Sequence, residues 1–193
     1  MSNELEELNA KLEADVYKGI NRLLIAVGEN PKREGLLDTP KRVLKAYKEM
    51  TSGSRVDIEE LLSTTFDVGD SDEMVVVKNI EFVSLCEHHL LPFTGVAAVA
   101  YLPQDRVVGL SKIARLVDAF ANRLQVQERL TRQITQALDD NLSTRGSAAL
   151  ITAHHACMGC RGVKKPSALM VTSSLTGAFL DPEVRAEFLS LAR

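Results

Sequence analysis

Met74–Leu85 (MVVVKNIEFVSL) and Phe93–Leu102 (FTGVAAVAYL) are β-rich runs, and Pro103, Gln104 and Asp105 make a turn before Arg106–Leu110 (RVVGL). They read as two antiparallel strands. The same texture returns in Ser147–Met158 (SAALITAHHACM) and Ala168–Phe179 (ALMVTSSLTGAF). Between the two pairs the apolar period is helical, first as Ile113, Leu116, Val117 and Phe120, then as Val126, Leu130, Ile134, Leu138 and Leu142, with a break near Asn122 and Arg123. Parallel pairing would need a crossover after every strand, so strand pairs separated by a helix pair predict an α+β domain: an antiparallel sheet with helices on one face.

Outward from this centre, Asp181 and Pro182 start a short closing helix bearing Val184, Phe188 and Leu189. Toward the N-terminus, Asp38 or Thr39 can cap a helix with Pro40 at its first position. Val43, Leu44 and Tyr47 then turn inward, and Arg42 and Lys45 lie one turn apart. Earlier still, Leu5, Leu8, Leu12, Val16, Ile20, Leu23 and Leu24 recur at three- and four-residue intervals, the stripe of a packing helix. The predicted order is ααββααββα, without internal repeat, low-complexity run or flexible linker.

The chain has 193 residues, 45% hydrophobic and 25% charged, which allows one sizeable core. With 23 basic against 26 acidic residues the net charge is −3, so no surface is built throughout for nucleic acid or anionic membrane, and any basic site is local. No stretch approaches the roughly 20 apolar residues of a membrane span, and the acidic start MSNELEELNAKLEAD is unlike a signal peptide. A cytoplasmic protein is expected, and in that reducing compartment three cysteines, Cys86, Cys157 and Cys160, favour metal binding or reactivity over disulfides.

All four histidines come as adjacent pairs, His88-His89 and His154-His155, each within three residues of a cysteine, in CEHH and HHACMGC. Thiolate and imidazole together point to zinc in tetrahedral geometry. Two sets fit the spacing. Cys86, His89, Cys157 and Cys160 would make a closed structural site; Cys86, His89 and Cys157 alone would leave a fourth position for water, whose pKa a catalytic zinc lowers to about 7. Spacing leaves both open. Strand alternation would put His155 and Cys157 on one face and His154 on the other. His88 and His155, beside the ligands but not needed as ligands, would then be two imidazoles able to move protons near neutral pH.

Ser111, Lys112 and Arg115 in LSKIAR fall on the first turn of a helix, where free N–H groups and the dipole favour an anion, although such cations are often merely solvated. Arg161, four residues after Cys157, adds a guanidinium suited to phosphate. The sequence has neither a GxxxxGK[ST] loop nor a GxGxxG turn, so a nucleotide's phosphates would be held by side chains. Glu128 falls nearly opposite the Val126, Leu130, Ile134 stripe, as a solvated carboxylate or one pointing into a subunit contact, where it could accept two N–H bonds from a guanine edge.

These segments resemble the GTP cyclohydrolase I family from about Asp38 to the C-terminus. CEHHLLPF, GLSKIARLVD, RLQVQERLT and the HxCxxxRG pattern of His155, Cys157, Arg161 and Gly162 stand in that family's order and spacing, preceded by DTPKRVLKAY. The resemblance implies a catalytic zinc on Cys86, His89 and Cys157, with Cys160 not a ligand. It implies attack of zinc-bound water on C8 of GTP, proton transfers by His88 and His155, and release of C8 as formate. Rearrangement then gives 7,8-dihydroneopterin triphosphate, the first step toward tetrahydrofolate and pterins. Glu128, helped by Gln127 and backbone near Val108 and Leu110, would hold the guanine. Lys45, Ser111, Lys112, Arg115 and Arg161, with Arg42, would meet the triphosphate, and Ser111 would also assist at the ribose.

The resemblance further implies the tunnelling fold, in which four-stranded sheets of five subunits join into a barrel and two rings stack into a decamer with active sites between subunits. Residues 38–193 would form the catalytic domain and residues 1–37 an N-terminal helical extension packing between subunits. Val96 stands where relatives often have Lys, and Gly159, Cys160 and Pro166 alter the surroundings of the last zinc ligand. Two alternatives stand beside this reading: a zinc-stapled Cys3His binding module, and a sister tunnelling-fold enzyme acting on a pterin or a deazaguanine.

Overall fold

The computed structural model describes residues 3–67, 69 and 73–193. The backbone forms two compact units, Met1–Glu49 and Met50–Arg193. In the first, α1 (Asn3–Ala26) and most of α2 (Thr39–Met50) are the two predicted helices. Asp38 stands at the start of α2, its carbonyl accepting from Arg42 N at 3.0 Å. Lys48 of α2 forms an ion pair with Glu13 of α1. The stripe on α1 is largely uncovered within the chain, Leu5, Leu8, Leu12, Val16 and Leu23 being 40–61% exposed.

The second unit is built on a sheet of order β5-β2-β3-β6-β7. Its four long strands, β2 (Val75–Cys86), β3 (Pro92–Pro103), β6 (Thr144–His155) and β7 (Met170–Leu175), pair antiparallel in sequence order and correspond to the four predicted runs. Three of the short features described in this unit go beyond the predicted order. The two-residue β5 (Leu124–Gln125) pairs parallel to the end of β2. The RVV segment, β4 (Arg106–Val108), leaves the main sheet and pairs with β1 (Thr65–Asp67). A single helical turn, α3 (Ile58–Leu62), is capped by the Asp57 side chain, which accepts from Glu60 N at 3.0 Å. All three are too short to carry a hydrophobic period, and strand pairing or a local cap fixes each of them.

Helices α4 (Leu110–Ala121) and α5 (Gln127–Asn141) cover one face, as the pattern requires. Phe82, Phe93, Val99 and Tyr101 from the sheet meet Ile113, Leu116, Val117, Leu130, Ile134 and Leu138 there. Tyr101 is 1% exposed; its hydroxyl accepts from Val108 N at 3.1 Å, and burial raises its pKa. The closing helix α7 (Pro182–Leu191) lies on the other face, where Phe179 and Phe188 pack with Ala100, Leu102 and Ala148. Strand β3 approaches β6 closely at Gly95, where a Cβ would lie 2.1 Å from Thr152 O. The absence of a side chain there permits the approach, and the β3–β6 ladder runs in register up to Phe93 opposite His155.

The alternation argument for Cys157 is corrected by the structure. Strand β6 ends at His155, and Cys157 sits in a helical turn, α6 (Ala156–Gly159), so no strand face includes it. His154, opposite Thr94, is exposed.

Candidate metal centre and adjoining site

CEHH forms the tight connection between β2 and β3. Cys86 O accepts from Leu90 N at 2.8 Å and from His89 N at 3.4 Å, while Cys86 N donates to Leu91 O at 2.9 Å. Leu90 takes φ 54°, a left-handed position the turn imposes on a branched residue. The parallel β5 edge adds Glu87 N to Gln125 O at 3.0 Å. Arg129 then clasps the turn, pairing with the Glu87 carboxylate while its Nε donates to Gln125 Oε1 at 2.9 Å. The Arg129 hydrogen bond holds the Glu87 carboxyl below its ordinary pKa.

This turn and α6 bring the ligand atoms of Cys86, His89 and Cys157 within 4.8 Å of one another. Cys86 Sγ lies 3.7 Å from His89 Nδ1. Zinc bond lengths of about 2.3 Å to sulfur and 2.0–2.1 Å to nitrogen put tetrahedral sulfur–nitrogen edges near 3.6 Å, so the pocket fits that ion in size and donor chemistry. Cys160, exposed at the end of α6, is not in the group, which favours three ligands over the closed Cys3His set. Burial pushes the Cys157 thiol up, as does Cys86 beside it, against a lowering by Arg161. A bound cation would reverse that balance.

His88 is open to solvent with its Nε2 4.0 Å from Glu87 Oε1, and its Nδ1 is 3.9 Å from Cys86 Sγ. His155 is held on two sides. Its ring stacks on Phe93 at 4.6 Å and 5°, and its Nε2 lies 2.8 Å from Gln127 Oε1. Burial lowers the His155 pKa, opposed by the nearby Glu128 charge. Arg161 Nη1 reaches His89 Nε2 at 3.3 Å.

The other predicted residues fall into separate groups. Ser111, Lys112 and Arg115 occupy the first turns of α4 with Leu110, which is 69% exposed. Among the described residues neither Lys112 nor Arg115 has an ion-pair partner, and no hydrogen bond or ion pair joins this group to the metal pocket. Glu128 is exposed on the first turn of α5, whereas Gln127 is 1% exposed with its side chain engaged by the protein. Arg42 and Lys45 belong to the N-terminal unit, paired along α2 with Asp38 at 3.2 Å and Glu49 at 3.8 Å. Sequence reasoning missed two contributors: Phe93 as the platform for His155, and Arg129 as the clasp on the CEHH turn. Phe93 lay within the CEHHLLPF motif, but the pairing of β3 with β6 is what gives it this role.

Fold and site together define an α+β protein with a group of two cysteines and a histidine that could hold a metal at one end of its sheet, and with two further imidazoles adjoining it in sequence. Residues 16–193 match the profile of the family described as GTP cyclohydrolase I. Proteins named GTP cyclohydrolase 1 are similar at 53% identity in a Synechococcus strain, over 97% of this chain and 83% of that one, and at 52% in Campylobacter jejuni subsp. doylei, over 89% and 91%. A third, GTP cyclohydrolase 1 2 of a Nostoc strain, is 50% identical over 94% of this chain and 84% of its own. The solved archaeosine synthase QueF-Like, in the apo form, is 14% identical with a TM-score of 0.47, over 56% of this chain and 98% of that one, too slight a likeness to argue from. The chain belongs to the GTP cyclohydrolase I family.

Proposed function

We propose that this protein is a GTP cyclohydrolase I: it opens the imidazole ring of GTP with water, releases C8 as formate and rearranges the remainder to 7,8-dihydroneopterin triphosphate, the entry to tetrahydrofolate and pterin synthesis. Within the family assignment, the observation that carries the reading is the gathering of Cys86, His89 and Cys157 within 4.8 Å, with His88 and the oriented His155 adjoining them in sequence. Cys86, His89 and Cys157 would hold zinc. Zinc bound there supplies Lewis acidity and the means to ionise water near neutral pH.

The chain's own groups do the rest. His88 and His155 carry protons to and from the opening ring. Glu128 accepts from the guanine edge, with Leu110 contributing backbone. Arg161, Lys112, Arg115, Lys45 and Arg42 meet the triphosphate, and Ser111 binds it and assists at the ribose. His89 cannot hold a metal through Nδ1 and also accept from Arg161 through Nε2, because a neutral imidazole has one lone pair for such a bond and Arg has only donors. Were His89 to hold the metal through Nδ1, Arg161 would lose this acceptor and would be available to the anion.

Residues 38–193 act as the catalytic domain, preceded by the helical extension of residues 1–37. The molecule works as a decamer of two stacked pentamers in the cytoplasm, without nucleic acid or membrane as partner. Support for assembly comes from two surfaces. Among the described residues β5 pairs with only Leu85 and Cys86 of β2, so the rest of that edge can take a neighbour's strand. The uncovered stripe on α1 likewise suits a helix of another subunit. No helix among the described residues is long and apolar enough to cross a membrane.

The test is incubation of zinc-loaded protein with GTP, measuring formate and, after oxidation and dephosphorylation, fluorescent neopterin. Equal amounts are expected. Formate alone would limit the enzyme to ring opening, and neither product, with zinc and fold intact, would overturn the proposal.

A further inference from the structure

Gln127 is 1% exposed at the first position of α5, and every polar atom of its side chain is engaged by the protein. Its Nε2 lies 3.1 Å from each of three atoms: Ile151 O on β6, Met170 O on β7 and Thr172 Oγ1 on β7. The two carbonyls can only accept, so the amide atom facing them is the NH2 group. The threonines fix the same orientation independently. Thr131 Oγ1 donates its single proton to Gln127 O at 2.7 Å. In the 2.6 Å contact between Thr131 and Thr172 the donor must then be Thr172. With its proton used there, Thr172 can only accept from Gln127 Nε2. The two amide protons are shared among these three acceptors, and the amide cannot flip without losing bonds to both carbonyls.

One atom is left, Oε1, an acceptor, 2.8 Å from His155 Nε2. A hydrogen bond there requires the proton on His155 Nε2, which puts the lone pair of the neutral ring on Nδ1. Phe93, stacked at 4.6 Å, blocks one ring face and opposes rotation.

We infer that Gln127 is a positioning residue: it fixes His155 as the Nε2–H tautomer, with Nδ1 as the proton-transferring atom, and its side chain makes no contact with the guanine. The assignment rests on the proposed cyclohydrolase reaction only in giving His155 a proton to move. The tautomer itself is a property of the protein without substrate.

Solid-state 15N spectra of histidine-labelled, zinc-loaded protein, recorded where the ring is neutral, give the tautomer directly, with His155 assigned by its loss in His155→Asn. The expected spectrum shows a protonated Nε2 and an unprotonated Nδ1 for His155. A protonated Nδ1 with unprotonated Nε2 in the wild-type protein overturns the assignment, whether or not formate and neopterin are made. Failure of GTP turnover with the expected spectrum would instead overturn the reaction and leave the tautomer standing.

Kinetics of Gln127→Met and Gln127→Glu supply the second reading. Loss of a hydrogen-bonded partner that orients a functional imidazole typically costs about 10- to 100-fold, so Gln127→Met should lower kcat by that factor with KM for GTP nearly unchanged and both tautomers present. Gln127→Glu retains the acceptor toward His155 but turns an oxygen on the Ile151 and Met170 carbonyls, so it should keep the Nε2–H form, recover part of kcat and lower the Tm. A raised KM with unchanged kcat in Gln127→Met would mark a guanine contact and refute the inference.

Discussion

Replacing Phe93 with Leu separates a packing role from a positioning role at one side chain. Phe93 is 1% exposed, and its ring meets Phe82 edge-on at 6.0 Å and 80° and His155 face-on at 4.6 Å and 5°. Each aromatic pair is worth about 0.5–1.5 kcal/mol beyond the area it buries, so losing two removes about 1–3 kcal/mol. Leu retains most of the apolar volume, which keeps the cost below the roughly 3–5 kcal/mol of a Phe→Ala cavity. A loss of about 2–3 kcal/mol lowers Tm by roughly 5–10 °C in a chain of this size. Thermal unfolding of zinc-loaded wild type and variant at one protein concentration measures it. The variant should keep its metal and lose kcat, because His155 then has Gln127 on one edge but no platform beneath the ring. An unchanged Tm would refute the ring-pair arithmetic. A lowered Tm with unchanged kcat would refute the platform and leave Phe93 as core alone.

The metal set makes a divided prediction: Cys86→Ser, His89→Ala and Cys157→Ser should each lose bound zinc in elemental analysis, whereas Cys160→Ser should retain it together with most activity. His88→Ala should retain zinc and lose turnover by about 10²- to 10⁴-fold, the usual size of a general acid–base contribution, read as steady-state kcat. In the N-terminal unit the hydrogen bond from Lys48, then its charge, holds Glu13 below its ordinary value of 4.5. The depressed pKa means the ion pair stabilises above that value and is lost as pH falls through the folded-state pKa. Denaturation midpoints should therefore fall on acidification more for wild type than for Lys48→Met, and equal slopes would refute the contribution.

How much of this was readable in advance depends on what each feature is made of. The four long strands announced themselves because a run such as GVAAVAYL must bury side chains on both faces, between α4 and α5 on one side and Phe179 and Phe188 on the other. Helices α4 and α5 were legible for the complementary reason, a single apolar stripe at helical spacing. Strands β5 and β4 carry no such pattern: Leu124–Gln125 and Arg106–Val108 are extended because a neighbouring strand pairs with them. The residues that could hold a metal, Cys86, His89 and Cys157, stood out by type, since thiols and imidazoles confined to two short segments have few other uses. Their placement was not, because Ala-His-His-Ala-Cys reads as a continuing strand while the chain turns helical after His155.

Gln127 marks the boundary of sequence reasoning more sharply. In QVQERLT it is one polar residue among several at the start of a helix, and family resemblance offers it as a guanine contact beside Glu128. What engages its side chain instead lies far along the chain, at Ile151, His155, Met170 and Thr172, where β6 and β7 deliver two carbonyls, a hydroxyl and an imidazole to one buried amide, the basis of the positioning role proposed above. An exposed neighbour and a buried amide one residue apart divide the work. Glu128, on the outer side of the first turn of α5, remains open to a ligand, while Gln127, on the inner side, transmits the geometry of the sheet to His155. The same helix end would thus set both the hold on the purine and the protonation state of the imidazole that acts on it. A substitution at either residue should be separable by whether KM or kcat moves.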